Sequence, residues 1–166
     1  MSPKLLRTSS DQFTAEVVVE WKGYITVRIG RNPRAVNLYW QLVDPKFSQL
    51  ELGFESPSGR LMACSVPLFN GEVEEQKARG FLNAVPGTPF FDLSLWPPNV
   101  SETKGNRSHH IEQPGRIRLL KDENLLLIVI KDDPPLKSVL YADKLICNFG
   151  ENGELLALGL KGSFPL

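Results

Sequence analysis

Hydrophobic and polar residues alternate with a period of two through much of the chain, as they do in strands that bury one face. In Tyr24-Ile-Thr-Val-Arg-Ile29 the apolar Ile25, Val27 and Ile29 fall on one face, and Tyr24, Thr26 and Arg28 on the other. Val36 to Val43 groups Val36, Leu38, Trp40 and Leu42 in the same way, and Asp44-Pro45 ends the run. Further β-type runs cover residues 13–21, 50–55, 60–68, 116–120, 124–131, 138–141, 145–149 and 154–160. Such strands need a second layer over their apolar face. The pattern therefore predicts a mainly β protein of two packed or strongly curled antiparallel sheets. Its expected core holds Val17, Val19, Ile25, Val27, Leu38, Trp40, Leu52, Phe54, Leu61, Phe91, Leu93, Leu127, Val129, Phe149, Leu155 and Leu158.

Residues 72–82 (EVEEQKARGFL) form the one segment that predicts a helix. Its acidic residues come first and Lys77 and Arg79 late, the order that suits the helix dipole. Gly80 interrupts it, so the expected helix is short.

Two segments repeat one another. Leu50-Glu-Leu-Gly-Phe54-Glu-Ser-Pro-Ser-Gly59-Arg-Leu61-Met-Ala63 aligns with Leu145-Ile-Cys-Asn-Phe149-Gly-Glu-Asn-Gly153-Glu-Leu155-Leu-Ala157. Each reads as strand, Phe, polar turn ending in Gly, then strand. That is a β-hairpin in which glycine supplies a positive φ. Convergence on turn chemistry and duplication of a half-domain both account for the likeness.

Residues 97–114 (PPNVSETKGNRSHHIEQP) show no periodicity and predict a long loop. An irregular stretch of that size inside a compact domain is usually either functional or mobile. Arg107, His109 and His110 within it are candidate partner-binding residues. The adjacent acids Asp132 and Asp133, ahead of Pro134-Pro135, are a second candidate surface, suited to a basic partner.

Composition narrows the classes. The 166 residues predict one domain. The 19 basic and 19 acidic residues cancel, which gives no global attraction to nucleic acid or an anionic membrane. Charge is uneven by region, +3 over residues 1–40, −3 over 41–98, +2 over 99–120 and −2 over 121–166, without any like-charged block. The longest apolar run, Leu125 to Ile130, is far short of a membrane span. The N-terminal residues MSPKLLRTSSDQF lack the apolar core of a signal peptide, so a cytoplasmic location is expected. Cys64 and Cys147 each sit in an apolar run and are expected to be free, buried thiols.

Catalytic signatures are sparse. The histidines are adjacent and remote from both cysteines, so no metal-ligand spacing arises. No phosphate-cradling glycine loop and no G-x-S-x-G elbow is present, and no cofactor is expected. Asp132 and Asp133 adjoin one another, whereas glycosidase carboxyls come from separate elements across a sugar. Trp21, Tyr24, Arg28 and Tyr39 would make a base-stacking face, but the RNP signature is missing. The residues leave a non-catalytic binding or assembly module, with a hydrolase using His109 or His110 as the catalytic alternative.

The segment Gly87-Thr-Pro-Phe-Phe-Asp-Leu-Ser-Leu-Trp96, the later apolar strand LLLIVI and the closing hairpin Leu145–Leu160 together resemble immunity proteins. These are small proteins of bacterial polymorphic toxin and contact-dependent growth inhibition systems. The ending Phe149-Gly-Glu-Asn-Gly153-Glu-Leu155-Leu-Ala-Leu158 and the earlier Leu50–Leu61 carry the likeness, which spans roughly residues 45–162. The resemblance implies a protein without chemistry of its own. Its partner would be a cognate toxin domain, neutralised by covering the active site.

Overall fold

The computed structural model describes residues 1–11, 14–20, 24–29, 36–75, 83–97 and 108–164. Their strands, in chain order, are β1 (Leu5–Ser9), β2 (Ala15–Glu20), β3 (Tyr24–Ile29), β4 (Val36–Val43), β5 (Gln49–Glu55), β6 (Arg60–Leu68), β7 (Val73–Glu75) and β8 (Val85–Pro86). They continue as β9 (Thr88–Phe91), β10 (His109–Pro114), β11 (Arg118–Asp122), β12 (Leu125–Val129), β13 (Lys137–Tyr141), β14 (Leu145–Phe149) and β15 (Leu155–Lys161). The protein is mainly β, built from two sheets of which one is strongly curled. No helix among the described residues is long and apolar enough to cross a membrane.

The first sheet has eight strands. One path runs β1-β9-β6-β5-β4-β10, and β3 also pairs with β6 and carries β2 beyond it. The second has seven, in the order β7-β11-β12-β15-β14-β13-β8. Most pairs are antiparallel, as predicted, but β10 joins β4, β7 joins β11 and β8 joins β13 in parallel.

Two expectations need correction. The helix expected over residues 72–82 begins instead with strand β7, which pairs Val73, Glu74 and Glu75 with Leu119, Leu120 and Lys121. Arg118 also holds the Glu74 carboxylate in a two-point ion pair, Nε at 2.9 Å and Nη2 at 2.8 Å. Residues 76–82 lie outside the described residues. The loop expected over 97–114 ends early, because His109–Pro114 is strand β10, in register with Leu38–Val43. Pairing with β4 satisfies backbone groups that the bare sequence leaves without a visible partner.

The inner faces of the two sheets meet in one core. Ile25, Val27, Leu38, Trp40, Leu52, Phe54, Leu61 and Cys64 come from the first sheet, and Leu126, Ile128, Val139, Cys147, Phe149, Leu155 and Leu158 from the second. Of the expected core, Leu93 is only partly buried, Leu127 and Val129 belong to a separate cluster, and the side chains of Val17 and Val19 lie outside the description. Phe54, Phe91 and Phe149 form a tilted aromatic series, with centroids 5.0 Å and 5.8 Å apart, that crosses between the sheets. Aromatic pairs at such distances favour tilted over face-to-face contact. The buried Tyr141 hydroxyl donates to the Leu61 carbonyl at 2.9 Å, a polar tie from sheet to sheet. Burial pushes its pKa up, so the phenol remains a donor. Both cysteines are free and buried, and burial pushes the Cys64 thiol up to about 12.

Asp44 fixes the turn after β4. Its Oδ1 accepts from the Lys46 N–H at 2.8 Å, and its Oδ2 accepts from the Ile117 N–H at 3.2 Å. One carboxylate thereby closes the β4–β5 turn and anchors the segment that leads into the second sheet. The same turn holds Phe47 at φ 67°, with the residue 74% exposed. A bulky residue in the left-handed region is uncommon, and here Phe47 N donates to the Asp44 carbonyl at 2.8 Å.

Candidate functional site

The two sheets differ sharply on their outer faces. On the second, Leu127, Val129 and Ala157 form a buried apolar cluster with Leu120 and Leu125 against it. Ile146 and Asn148 are also buried there. On the first, alternation turns polar and aromatic side chains outward in ordered rows. Register places Arg28 opposite Ala63, Ala63 opposite Gly53, Gly53 opposite Tyr39 and Tyr39 opposite His110. The neighbouring row is Thr26, Ser65, Glu51, Gln41 and Glu112. Five strands at about 4.8 Å spacing make this face roughly 19 Å across.

Local contacts stiffen the face. The Tyr39 and His110 rings stack, with centroids 4.7 Å apart and planes at 7°. Gln41 Nε2 donates to Glu51 Oε2 at 2.6 Å, fixing two side chains on adjacent strands. Partial burial, and then the Glu51 charge, raise the Tyr39 pKa and hold its hydroxyl protonated. Arg28, Tyr24, His110 and Glu112 are exposed, while Ala63 and Gly53 form a low floor between Arg28 and Tyr39. The face thus carries exposed Arg28 on one side and exposed Glu112 on the other, with half-buried Tyr39 and Glu51 between them, while Thr26 and Gln41 of the second row are buried.

The structure separates the two histidines. They are consecutive on β10 and so point to opposite faces. His110 turns outward to Tyr39, while Ile111 packs on the core. His109 Nε2 is covered and has no hydrogen-bond partner among the described residues. His110 Nε2 lies 3.2 Å from Ser108 Oγ, two residues back on the same face. A serine–histidine pair needs an orienting group and an oxyanion site to attack a carbonyl, and no carboxylate bonds the His110 ring among the described residues. The ring packs as an aromatic plate on Tyr39.

Arg107 lies outside the described residues. Asp132 and Asp133 follow β12 in the second sheet, away from the histidines on β10. Asp132 is engaged by Arg118, Nη1 to Oδ1 at 2.6 Å, in the network that also holds Glu74. Asp133 is exposed. Among the described candidates, His110 alone belongs to the ordered outer face of the first sheet. Gln41, Glu51 and Glu112 were missed. Alternation could have put Gln41 beside Tyr39 on the polar face of 36–43, but no local signal announced that β10 would lie parallel to β4. Tyr24, Arg28 and Tyr39, weighed above as a base-stacking set, do share the face; Trp21 lies outside the described residues. Among the described residues, no three His, Cys, Asp or Glu side chains are placed to hold a metal ion. No known family model matches the chain, and neither does any curated protein.

Proposed function

We propose that this chain is a non-catalytic binding protein, and that it acts in the cytoplasm as an immunity protein, docking on a toxin domain to cover its active site. The observation that carries the reading is the contrast between equivalent sheet faces. One is apolar and buried; the other presents exposed Arg28, His110 and Glu112 beside half-buried Tyr39 and Glu51. Protein interfaces draw most of their affinity from a few aromatic and arginine anchors set in a flat or shallow patch. The Tyr39–His110 stack is such an anchor, since its rings are already ordered before a partner arrives. The resemblance of the closing hairpin to immunity proteins supplies the class of partner.

The test is growth rescue. The gene immediately upstream of this chain should encode a toxin domain, and cells expressing it should survive when the wild-type chain is co-expressed. The Tyr39→Ala/His110→Ala variant, checked for native melting, should lose rescue and form no complex by calorimetry. Failure of the wild type to rescue or bind overturns the immunity reading. Full rescue by the double variant overturns the assignment of the face.

A further inference from the structure

We infer that the chain is one structural unit present twice, residues 1–75 and residues 87–164, so that the sandwich is a dimer built within a single polypeptide. The strand orders coincide. In the first sheet the series is β2-β3-β6-β5-β4, and in the second it is β11-β12-β15-β14-β13. Each series opens on an antiparallel hairpin, β2–β3 or β11–β12, whose second strand pairs with the strand that comes last in the chain among those five, β6 or β15.

The equivalence holds residue by residue. The inner row Val27, Cys64, Leu52, Trp40 has the pairings of Ile128, Leu158, Cys147, Val139. The outer row Thr26, Ser65, Glu51, Gln41 has those of Leu127, Gly159, Ile146, Leu140. Both hairpins are bulged at the same step, between Gly53 and Phe54 in one and between Asn148 and Phe149 in the other. Both turns end in a glycine of positive φ, 75° at Gly59 and 73° at Gly153.

Each unit also clips the other. Phe91 N donates to the Gly59 carbonyl at 2.7 Å, and Leu5 N donates to the Gly153 carbonyl at 2.8 Å. Arg60 pairs with Phe90, and Glu154 bridges Lys4. The leading strand of each unit, β1 or β9, therefore lies on the hairpin turn of its counterpart. Those two strands pair antiparallel with Leu5 opposite Phe91, where a pseudo-two-fold axis would pass. The residues two and three places before Leu5 and Phe91 are similar, Ser2-Pro3 against Thr88-Pro89, and all four are buried. Convergent turn chemistry accounts for a glycine at each turn. It does not account for a shared strand order, a shared bulge and reciprocal clipping strands.

The cross-strand core pair gives a direct test, because it is Leu52–Cys64 in one unit and Cys147–Leu158 in the other, the same two side chains with strands exchanged. If the sites are equivalent, Leu52→Cys/Cys64→Leu in the full chain should melt within about 3 °C of wild type, whereas Leu52→Cys alone should drop the midpoint by about 8 °C. A circular permutant beginning at Gly87 should also fold, with residue 166 joined to residue 1. The join in the native chain, from β6 to β9, uses residues 69–87, against 162–166 plus 1–4 in the permutant, so a flexible linker of about ten residues equalises them. Cooperative melting with the native circular dichroism spectrum is the expected result. A swap that melts with or below Leu52→Cys, or a permutant that does not fold, overturns the inference.

Discussion

Gly59 and Gly153 occupy the same place in two hairpins, yet their surroundings differ in a way that substitution should expose. Any L-residue at their φ of 75° and 73° carries a steric cost of about 1–2 kcal/mol. A Cβ on Gly153 would lie 3.3 Å from the Leu5 carbonyl oxygen, close but relieved by a small shift. On Gly59 it would lie 2.2 Å from the Phe91 carbonyl oxygen, in a strand held there by its own hydrogen bond to Gly59. Gly153→Ala should therefore cost about 1–2 kcal/mol in urea denaturation and Gly59→Ala at least about 3 kcal/mol, the excess being the displacement of β9. Equal losses would show that β9 is not tied to the turn. The glycines were legible because the requirement for positive φ is local and glycine meets it best. Phe47, Ala142 and Asp143, also at positive φ, were not, because contacts beyond the turn sequence hold them there.

At the scale of elements, the strands read correctly from sequence are those whose alternation is strong, such as β3, β4 and the hairpins β5–β6 and β14–β15. Those missed, β1, β7, β8, β9 and β10, are short or carry no clean alternation, and each pairs with a partner distant in the chain. Parallel pairing of β10 on β4 brought His110 to Tyr39, so half of the candidate site depended on a contact no local pattern encodes. The turn after β4 is an element whose stability should follow pH. The Lys46 N–H holds the Asp44 carboxyl below its usual range, aided by the Ile117 N–H and the Lys46 and Arg116 charges, against its burial. A carboxyl depressed in the folded state stabilises fully above its unfolded pKa of about 3.9, and that stability is lost as pH falls through the folded value. Wild type should thus lose more stability than Asp44→Asn between about pH 6 and 3. Glu74, held down by its hydrogen bond to Arg118, contributes to both proteins and cancels in the difference. Equal acid sensitivity, read from urea midpoints at the two pH values, would remove Asp44 from the anchoring role.

Over the whole molecule, the Tyr39–His110 face belongs to the first sheet and the acidic pair Asp132-Asp133 follows β12 of the second, and association kinetics can tell which one meets a partner. Rim charges alter the rate of encounter and its salt dependence, while buried anchors alter the rate of release. If the outer face of the first sheet docks on the toxin domain, Arg28→Glu should change the association rate several-fold at low salt. That change should fade towards 1 M, where the Debye length is about 3 Å. Tyr39→Ala should mainly speed dissociation, because it removes half of an ordered stack. Asp133→Lys is the matching probe for the second sheet, and a cleaner one than Asp132→Lys, which would also break the ion pair with Arg118. Asp133→Lys should leave both rates unchanged if the first sheet binds. Should Asp133→Lys slow association at low salt while Arg28→Glu does nothing, the partner is a basic surface seated on the second sheet, and the Tyr39–His110 face is not the site of contact.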